Sequence, residues 1–434
     1  MATLRPFRAL RPNPADAAKI AAVPYDVVST DEARALADGN PLSFLRVSRA
    51  ELELPPDHDP YAADVYERAA KNFAALKKRA LVVEEQPSLY LYRLTMGAHV
   101  QTGIAACYSI DEYDRDVIKK HERTRRDKED DRTRHMIALG AQTGPVFLTY
   151  RAVGAVDSVA ARATAGTPLI DFEATDSVRH TIWRVGGTDR DALVAAFSGI
   201  PALYIADGHH RAASAARARG EMRDRGLSGT TLGDGADAST MLAVAFPHDQ
   251  VQILPYNRIV KDLGGFDSDA FMKAVRDRFD VAPGPPAPAE RGEIAMYFNG
   301  SWQTLRLETR DSRRPNTEPR TTNFELGTLN LEPRTLNPDV ISTLDVTTLQ
   351  DHLLGPVLKI ADVRTDKRVD FVGGARGTGA LQQLVDSGQA AVAFSLYPVS
   401  VADLMAVSDA GGIMPPKSTW FEPKLRDGLL SHVI

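Results

Sequence analysis

Cysteine is nearly absent from this 434-residue chain, in which Cys107 is the single example. One cysteine excludes an internal disulfide framework and any zinc or iron–sulfur site that is built from several thiolates. Long apolar runs are missing as well, since stretches such as 241–246 and 390–396 fall far short of the roughly 20 residues that span a bilayer. The first residues contain no apolar segment of signal-peptide length. We therefore expect a cytoplasmic protein without a membrane partner.

An excess of one charge is also missing. Lysine and arginine number 52 against 57 aspartates and glutamates, which gives a formal net charge of −5. This balance removes the simplest argument for a nucleic-acid coat, and no helix-turn-helix or basic DNA-reading segment is present, so we expect no nucleic-acid partner. A hydrophobic fraction of 43% is that of an ordered globular chain, and the length suits two or three domains.

Several well-known chemical motifs are absent from the sequence. There is no Walker-type glycine–lysine motif, no protein-kinase motif set, no G-x-S-x-G elbow and no dinucleotide fingerprint. If the protein binds phosphate, it does so by another design.

Short apolar runs alternate with helical patterns along the chain. Residues 62–79 place apolar side chains three and four positions apart, which predicts an amphipathic helix, and the alanine- and arginine-rich stretch 211–225 predicts a second helix. Intermixed helices and strands predict an α/β or α+β class. The apolar runs that predict buried strands are 81–83, 89–94, 103–108, 146–150, 203–206, 241–246 and 390–396.

The domain division follows from composition. We predict a core at 1–258, a second and smaller α/β domain at 259–395, and a C-terminal segment at 396–434 that docks back on the core because its aromatic residues are rarely left on an exposed tail. Proline-rich residues 282–289 predict a surface linker. Residues 313–338, in which E-P-R-T occurs twice, predict an inserted loop. No pattern predicts the oligomeric state.

The sharpest local signal is the turn D-G-H-H-R at 207–211, which follows an apolar strand and precedes the alanine-rich helix. A strand, a glycine turn and a helix start present backbone N–H groups and a positive dipole end to an anion. Two imidazoles and a guanidinium add donors that suit phosphate oxygens. The alternative is an Asp207 N-cap with incidental histidines. Transition-metal binding is not favoured, because no third histidine or cysteine lies nearby in sequence.

Three other segments contain candidate residues. The charged run from Lys119 to Arg126 mixes lysine, histidine and glutamate, a set that can bind phosphate and move a proton, although such runs are also solvated helix faces. Asp26 stands in an apolar run, where a carboxylate is costly unless it has a partner or a function. Lys417 follows two prolines and precedes two large aromatic residues near the C-terminus.

Five motifs, in this order, resemble those of a bacterial and archaeal family of uncharacterised proteins whose members are often labelled ParB-related or SpoOJ/ParA/ParB/repB-type. The resemblance extends over nearly the whole chain except 313–338. The motifs are P-Y-D-V at 24–27, K-H-E-R-T at 120–124, D-G-H-H-R at 207–211, R-T-D-K-R-V-D-F at 364–371 and P-P-K-S-T-W-F-E-P-K at 415–424.

The D-G-H-H-R turn is also similar to the G-C-H-R phosphate loop of sulfiredoxins and to the D-G-H-x-R loop of free-serine kinases, which belong to the ParB/sulfiredoxin superfamily. This resemblance implies a ParB/sulfiredoxin-like core and transfer of a phosphoryl group to free L-serine, from ATP, ADP or pyrophosphate, which the turn would bind alike. His209 occupies the position of the sulfiredoxin cysteine. Thiol-based repair of sulfinic acids is therefore not expected.

The implied chemistry assigns roles to the turn. The N–H groups after Gly208, together with His209, His210 and Arg211, would bind the donor phosphates. Asp207 would bind Mg²⁺ or orient the turn.

The implied chemistry also needs a base and further positive charge. Asp26 is the first choice for the base, because the serine kinases use an acidic residue near their N-terminal strand, and Glu122 is the second choice. The groups that would bring positive charge to the donor or to the substrate carboxylate are Lys119, Lys120, His121 and Lys417. Two alternatives stay open, a non-catalytic nucleotide-binding regulatory protein of ParB-like type and a purely structural protein.

Overall fold

The computed structural model describes residues 1–226, 237–308 and 340–434. The predicted insertion at 313–338 lies outside the described residues. The chain forms two compact units: unit 1 comprises Met1–Gln252 and Phe421–Ile434, and unit 2 comprises Ile253–Trp420. The predicted α/β class with a second, smaller domain is confirmed.

Unit 1 contains a large mixed sheet, several two-stranded pairs and nine helices within the described residues. Its strands up to the first boundary are β1 (Leu4–Arg5), β2 (Leu10–Pro12), β3 (Leu81–Val83), β4 (Leu89–Met96), β5 (His99–Ser109), β6 (Ile118–Lys119), β7 (Ala141–Gln142), β8 (Val146–Tyr150), β9 (Ile170–Glu173), β10 (Val178–Val185), β11 (Leu203–Asp207) and β12 (Thr240–Pro247). Its helices are α1 (Ala17–Ile20), α2 (Thr30–Ala37), α3 (Leu45–Ser48), α4 (Ala63–Ala80), α5 (Ile110–Asp114), α6 (Arg126–Leu139), α7 (Gly154–Ala163), α8 (Gly187–Phe197) and α9 (His209–Asp224), with 3₁₀ turns at Pro14–Asp16 and Ala50–Glu53.

The large sheet of unit 1 has the strand order β6-β11-β8-β12-β5-β4-β10-β9, with β1 paired to β5. Two neighbouring pairs, β6 with β11 and β8 with β12, run parallel, and the other pairs are antiparallel. Every residue of β8 and β12 is buried, as expected for continuous apolar runs in the middle of a covered sheet. The short strand β6 therefore forms one edge of the sheet, directly beside β11.

Helices α6 and α9 pack against each other on this sheet. Small buried side chains of α9, among them Ala212, Ala215 and Ala218, join the sheet core and let the helix approach closely. Gly140 ends α6 in the left-handed conformation at φ 58°, the usual role of glycine after a helix. The close packing fixes the start of α9 relative to the end of β11.

Unit 2 contains a six-stranded antiparallel sheet of order β15-β17-β16-β19-β14-β18. Ala282 and Pro283 of the predicted linker end the edge strand β15, where proline is tolerated because its missing N–H faces no partner strand. The strands are β13 (Gln252–Leu254), β14 (Tyr256–Val260), β15 (Phe279–Pro283), β16 (Glu293–Phe298), β17 (Ser301–Leu307), β18 (Val369–Gly373), β19 (Val392–Leu396) and β20 (Trp420–Glu422), of which β13 and β20 contain the two boundaries. The helices are α10 (Ser268–Arg276), α11 (Asp345–Leu349), α12 (Gly377–Asp386) and α13 (Val401–Asp409), with a π-helical turn at Gln350–Leu354 and a 3₁₀ turn at Gly374–Arg376.

The last residues of the chain return to unit 1. Strand β21 (His432–Val433) pairs with β7, and the backbones of Leu10 and Ser431 exchange hydrogen bonds of 3.0 and 2.9 Å. Leu429 and Leu430 are almost fully buried. Residues 421–434 are therefore an integral part of the packing of unit 1.

Candidate phosphate site

The carboxyl ends of β6 and β11 lie side by side because the two strands are parallel, with Ile118 opposite Leu203 and Lys119 opposite Tyr204. The motifs K-H-E at 120–122 and D-G-H-H-R at 207–211 follow these ends and meet there. The backbone N–H of His121 donates to Nε2 of His209 at 3.4 Å. The structure therefore brings together two motifs that the sequence analysis selected separately, at the edge where open sheets commonly bind ligands.

Gly208 makes the turn between β11 and α9. Its φ of 93° and ψ of 31° place it in the left-handed region, and a Cβ there would lie 3.1 Å from Nε and 3.2 Å from Cζ of Arg211. Gly208 itself is the N-cap of α9, so the alternative of an Asp207 N-cap is wrong. A cap without a side chain leaves the first N–H groups of α9 without a partner inside the helix. This is the arrangement that suits an anion.

His121 and His209 form a buried pair beside this turn. Their ring centroids lie 4.4 Å apart at an interplanar angle of 87°, and the residues are 1% and 5% exposed. Burial lowers the pKa of His121 to about 4, against the opposing charge of Asp207. Burial, and then the neighbouring His121, lower the pKa of His209 well below its usual value. Both rings are therefore neutral at neutral pH.

The hydrogen bonds of the pair define its tautomers in part. Because Nε2 of His209 accepts a backbone N–H, its ring proton is on Nδ1, which lies 3.8 Å from Oε2 of Glu122. Neither ring nitrogen of the buried His121 makes a hydrogen bond within the described residues. A buried imidazole without a partner is costly, which indicates that a ligand or a water belongs beside it.

Arg211 is the charged centre of the site. Its side chain is 5% exposed, one terminal nitrogen donates to the carbonyl of Pro145, and the other lies 3.2 Å from Oδ2 of Asp207. Burial opposes its charge, but the carboxylates of Asp207, Asp26 and Asp427 outweigh burial and raise its pKa above the usual value. Nε of Arg211 is buried and makes no hydrogen bond within the described residues.

The two candidate bases differ in exposure. Asp26 lies in an exposed turn, so the expectation of apolar surroundings for this carboxylate is wrong. Its charge nevertheless acts on Arg211. The side chain of Glu122 is 42% exposed beside His209. Both carboxylates are open to solvent and can therefore contact a substrate.

Of the two predicted lysines at 119–120, Lys120 is held by residues outside the turn. Nζ of Lys120 lies 2.8 Å from Oδ1 of Asp116 and donates to the carbonyl of Tyr113 at 3.1 Å, so its charge faces the end of α5. Lys119 ends β6, and His210 is the half-buried second residue of α9.

Lys417 lies in unit 2. Its ammonium stands 5.5 Å from the ring centroid of Tyr256, and Arg258 holds the same turn by donating to the carbonyl of Pro416 at 3.1 Å. Burial lowers the pKa of this fully buried Arg258 to about 10. The assigned role of Lys417 toward phosphate stays a prediction.

The sequence analysis missed two residues of the C-terminal segment. Lys424, with a side chain 10% exposed, places its ammonium 3.6 Å from Oδ2 of Asp207. Asp427 is 4% exposed, and burial raises its pKa to about 7 although Arg211 opposes this shift. The available signal was the charged pair Arg426-Asp427 inside the otherwise apolar run 425–430.

Two kinds of feature are absent from the described residues, a metal-binding cluster and a membrane-spanning helix. No group of three or more His, Cys, Asp or Glu side chains there is arranged to hold a metal ion. In the same part of the chain, no helix combines the length and apolar character needed to cross a bilayer.

Comparisons with known proteins give one family and several solved structures. The family described as "Protein of unknown function (DUF1015)" matches residues 4–347. No curated protein matches significantly.

Three of the solved structures show low similarity. A free serine kinase in complex with AMP is 13% identical with a TM-score of 0.34, covering 75% of this chain and 92% of that one. A conserved hypothetical protein from Pyrococcus furiosus is 13% identical with a TM-score of 0.34, covering 76% and 95%. SbnI with a C-terminal truncation, from Staphylococcus aureus, is 12% identical with a TM-score of 0.37, covering 76% and 87%. At such values the similarity carries no argument about activity.

Proposed function

Because the chain belongs to the DUF1015 family of proteins of unknown function, we propose its activity from the site itself: it is a phosphotransferase that binds phosphate at the Gly208 turn and transfers a phosphoryl group to the hydroxyl of a small metabolite. One observation carries the proposal. Around the start of α9, two buried nitrogen-bearing side chains, His121 and Arg211, have nitrogens without any hydrogen-bond partner in the described residues. Phosphate oxygens would supply the missing acceptors.

Free L-serine is the acceptor that we propose, and it rests on the similarity of D-G-H-H-R to the loop of the serine kinases. The donor is a phosphoanhydride, namely ATP, ADP or pyrophosphate. In the reaction, the serine oxygen forms a bond to the transferred phosphorus and the bond from that phosphorus to the bridging oxygen breaks. The leaving group, which is ADP, AMP or inorganic phosphate according to the donor, keeps the electron pair, and the hydroxyl proton passes to a carboxylate of the site.

The proposed roles follow exposure and charge. The N–H groups at the start of α9, with His209 and His210, donate to the donor phosphates, and Arg211 supplies a permanent positive charge beneath them. A base must reach the substrate, so the exposed Asp26 is the first candidate and Glu122 the second.

Magnesium was expected on Asp207, but the donor set around that carboxylate does not fit. The carboxylate already faces two cations, Arg211 at 3.2 Å and Lys424 at 3.6 Å. A divalent cation beside these two positive charges would be repelled. No step of the proposed reaction is therefore assigned to a metal held by Asp207.

The test is phosphoserine formation by the purified chain with L-serine and Mg²⁺ in the presence of ATP, ADP or pyrophosphate, measured by mass spectrometry. We expect product with at least one donor. Asp26→Asn should lower turnover by about 100-fold or more while donor binding persists, because a positioned base contributes about that much. Asp31→Asn is the control, since the side chain of Asp31 is 94% exposed on α2.

Two results would change the conclusion. If Glu122→Gln loses turnover and Asp26→Asn does not, Glu122 is the base. If no donor gives product while a nucleotide still binds, the protein is a nucleotide-binding regulatory protein and the kinase proposal is wrong.

A further inference from the structure

Asp427 is held beside the turn by its own backbone. Its N–H donates to the carbonyl of Ala22 at 2.9 Å, and the N–H of Ala22 donates to the carbonyl of Asp427 at 3.2 Å. The next residue, Gly428, donates its N–H to the carbonyl of Thr143 at 3.2 Å. The carboxylate therefore occupies a defined place.

The neighbouring backbone leaves space for the carboxylate of Asp427. A Cβ on Gly144 would lie 2.7 Å from Oδ1 of Asp427 and 3.4 Å from Cδ of Arg211, so glycine at this position leaves room for both side chains where they stand. Oδ1 is closed to solvent and accepts no hydrogen bond within the described residues. A substrate hydroxyl cannot reach such an oxygen.

Charged and titratable groups face Asp427 from every element around it. Arg211 of α9, Arg132 of α6 and the adjacent Arg426 favour its ionised form, and Asp26 disfavours it. The buried Tyr92 of β4 also faces it. Burial outweighs the three arginines and raises the pKa of Asp427.

The other two carboxylates near Arg211 are less buried than Asp427. Asp207 faces the cations of Arg211 and Lys424, and Asp26 is in contact with solvent. When an anion enters the turn, its charge raises the proton affinity of every neighbouring carboxylate. Of the three carboxylates, Asp427 is the buried one, and its Oδ1 has no hydrogen-bond partner within the described residues, so the proton goes to Asp427.

We propose that Asp427 is a positioning residue for Arg211: ionised, it holds the guanidinium charge while the turn is empty, and it takes up one proton from solvent when an oxyanion occupies the turn. The inference rests on the proposed function for the existence of the anion site. It explains why a carboxylate is built into the packing directly behind a site for a negatively charged ligand. Anion binding and protonation of Asp427 are then thermodynamically linked.

The direction of the pH dependence follows from this linkage. With a pKa of about 7 in the empty site, Asp427 is mainly ionised at pH 8, so binding there requires uptake of close to one proton. Affinity for the anion should fall about tenfold per pH unit above pH 7 to 8, which is the limiting slope for one linked proton.

The experiment is calorimetric titration of the full chain with inorganic sulfate, whose charge is constant between pH 6 and 9. Titrations at pH 8 in two buffers of different ionisation enthalpy give the number of protons taken up. We expect close to one for the natural protein and close to none for Asp427→Asn. The uncharged variant should bind sulfate at pH 8 about tenfold more tightly than the natural protein.

Asp26→Asn is the matched control, because it removes the other carboxylate that faces Asp427 and is exposed. It should keep the uptake of one proton. If Asp26→Asn loses the uptake and Asp427→Asn keeps it, the assignment to Asp427 is wrong. Binding of sulfate to the natural protein without proton uptake overturns this inference and leaves the proposed function intact. This result is obtained with the natural protein alone, so it does not depend on whether a variant folds.

A different conclusion follows if neither sulfate nor inorganic phosphate binds to any variant at any pH. It would contradict the anion site itself, and both proposals would fail together.

Discussion

At the scale of single residues, the turn after β11 depends on one glycine and on polar atoms that are left without partners. Gly208 adopts a left-handed conformation directly beneath the guanidinium of Arg211. His121 and Arg211 each retain buried nitrogens without a hydrogen bond in the described residues. Such groups destabilise a folded protein unless a ligand or water satisfies them. These residues therefore indicate a binding site that lowers the stability of the folded protein while it is empty.

Gly208→Ala should destabilise unit 1 by about 1–2 kcal/mol, because an L-residue pays this amount in the left-handed region and its Cβ would press on Arg211. The measurement is the free energy of unfolding from urea denaturation. Gly220→Ala is the control on the same helix, since Gly220 of α9 has open space around it. It should stabilise the protein by about 0.5–1 kcal/mol.

At the scale of elements, the sequence predicted the parts of the site better than their assembly. The strand 203–206, the glycine turn and the following helix are all present, as β11, Gly208 and α9. The apolar runs 81–83 and 146–150 are β3 and β8 with identical bounds. These elements are encoded locally, by hydrophobic spacing and by a turn residue.

The pairing of β6 with β11 could not be predicted in the same way. Strand β6 has two residues, too few for any periodicity, and its place beside β11 is decided by the packing of the whole sheet. The contribution of Asp427 was missed for a similar reason, because it depends on where the C-terminal segment returns. Sequence reasoning therefore found both halves of the histidine pair but not their contact.

The C-terminal segment should contribute strongly to the stability of unit 1. Leu429 is fully buried, so Leu429→Ala should cost about 2–5 kcal/mol in the free energy of unfolding. The control is Leu36→Ala on α2, where the leucine is 49% exposed and the change should be within about 0.5 kcal/mol. Equal effects of the two substitutions in denaturation experiments would show that the segment is not packed as described.

At the scale of the whole molecule, the histidines whose pKa is lowered by burial lie in unit 1. Burial lowers the pKa of five histidines of unit 1, which are His121, His135, His180, His209 and His432. Unit 2 contains one histidine, His352, and burial raises the pKa of its Asp345 to about 6. The units should therefore respond differently to acid.

The sign of each response follows from proton binding. The unfolded chain protonates its histidines near pH 6.5, whereas folded unit 1 does not do so until about pH 4 for His121 and His135. Unit 1 should thus lose several kcal/mol of stability, in order of magnitude, between pH 6.5 and 4, with Asp427 offsetting a part. Asp345 binds its proton more tightly in the folded state, so its contribution stabilises unit 2 as the pH falls through about 6.

Tryptophan fluorescence can separate the two units during urea denaturation. Trp183 belongs to unit 1, and Trp302 and Trp420 belong to unit 2. A variant that retains only Trp183 should show its transition at a lower urea concentration at pH 5 than at pH 7.5. If that transition stays at the same urea concentration at both pH values, the histidines do not govern the acid stability of unit 1.

The division of unit 1 between Met1–Gln252 and Phe421–Ile434 also determines the order of events during synthesis. The ribosome makes all of unit 2 before it makes Lys424 and Asp427, so the larger unit lacks these two residues and the β21 partner of β7 while the smaller unit is translated. Continuous segments fold as they emerge, but this site can form only after the strand β21 has been synthesised. A nascent chain that stops within unit 2 would therefore lack the buried Leu429 and Leu430 together with the last residues of the site, so the packing of unit 1 and the site are completed in the same step of synthesis.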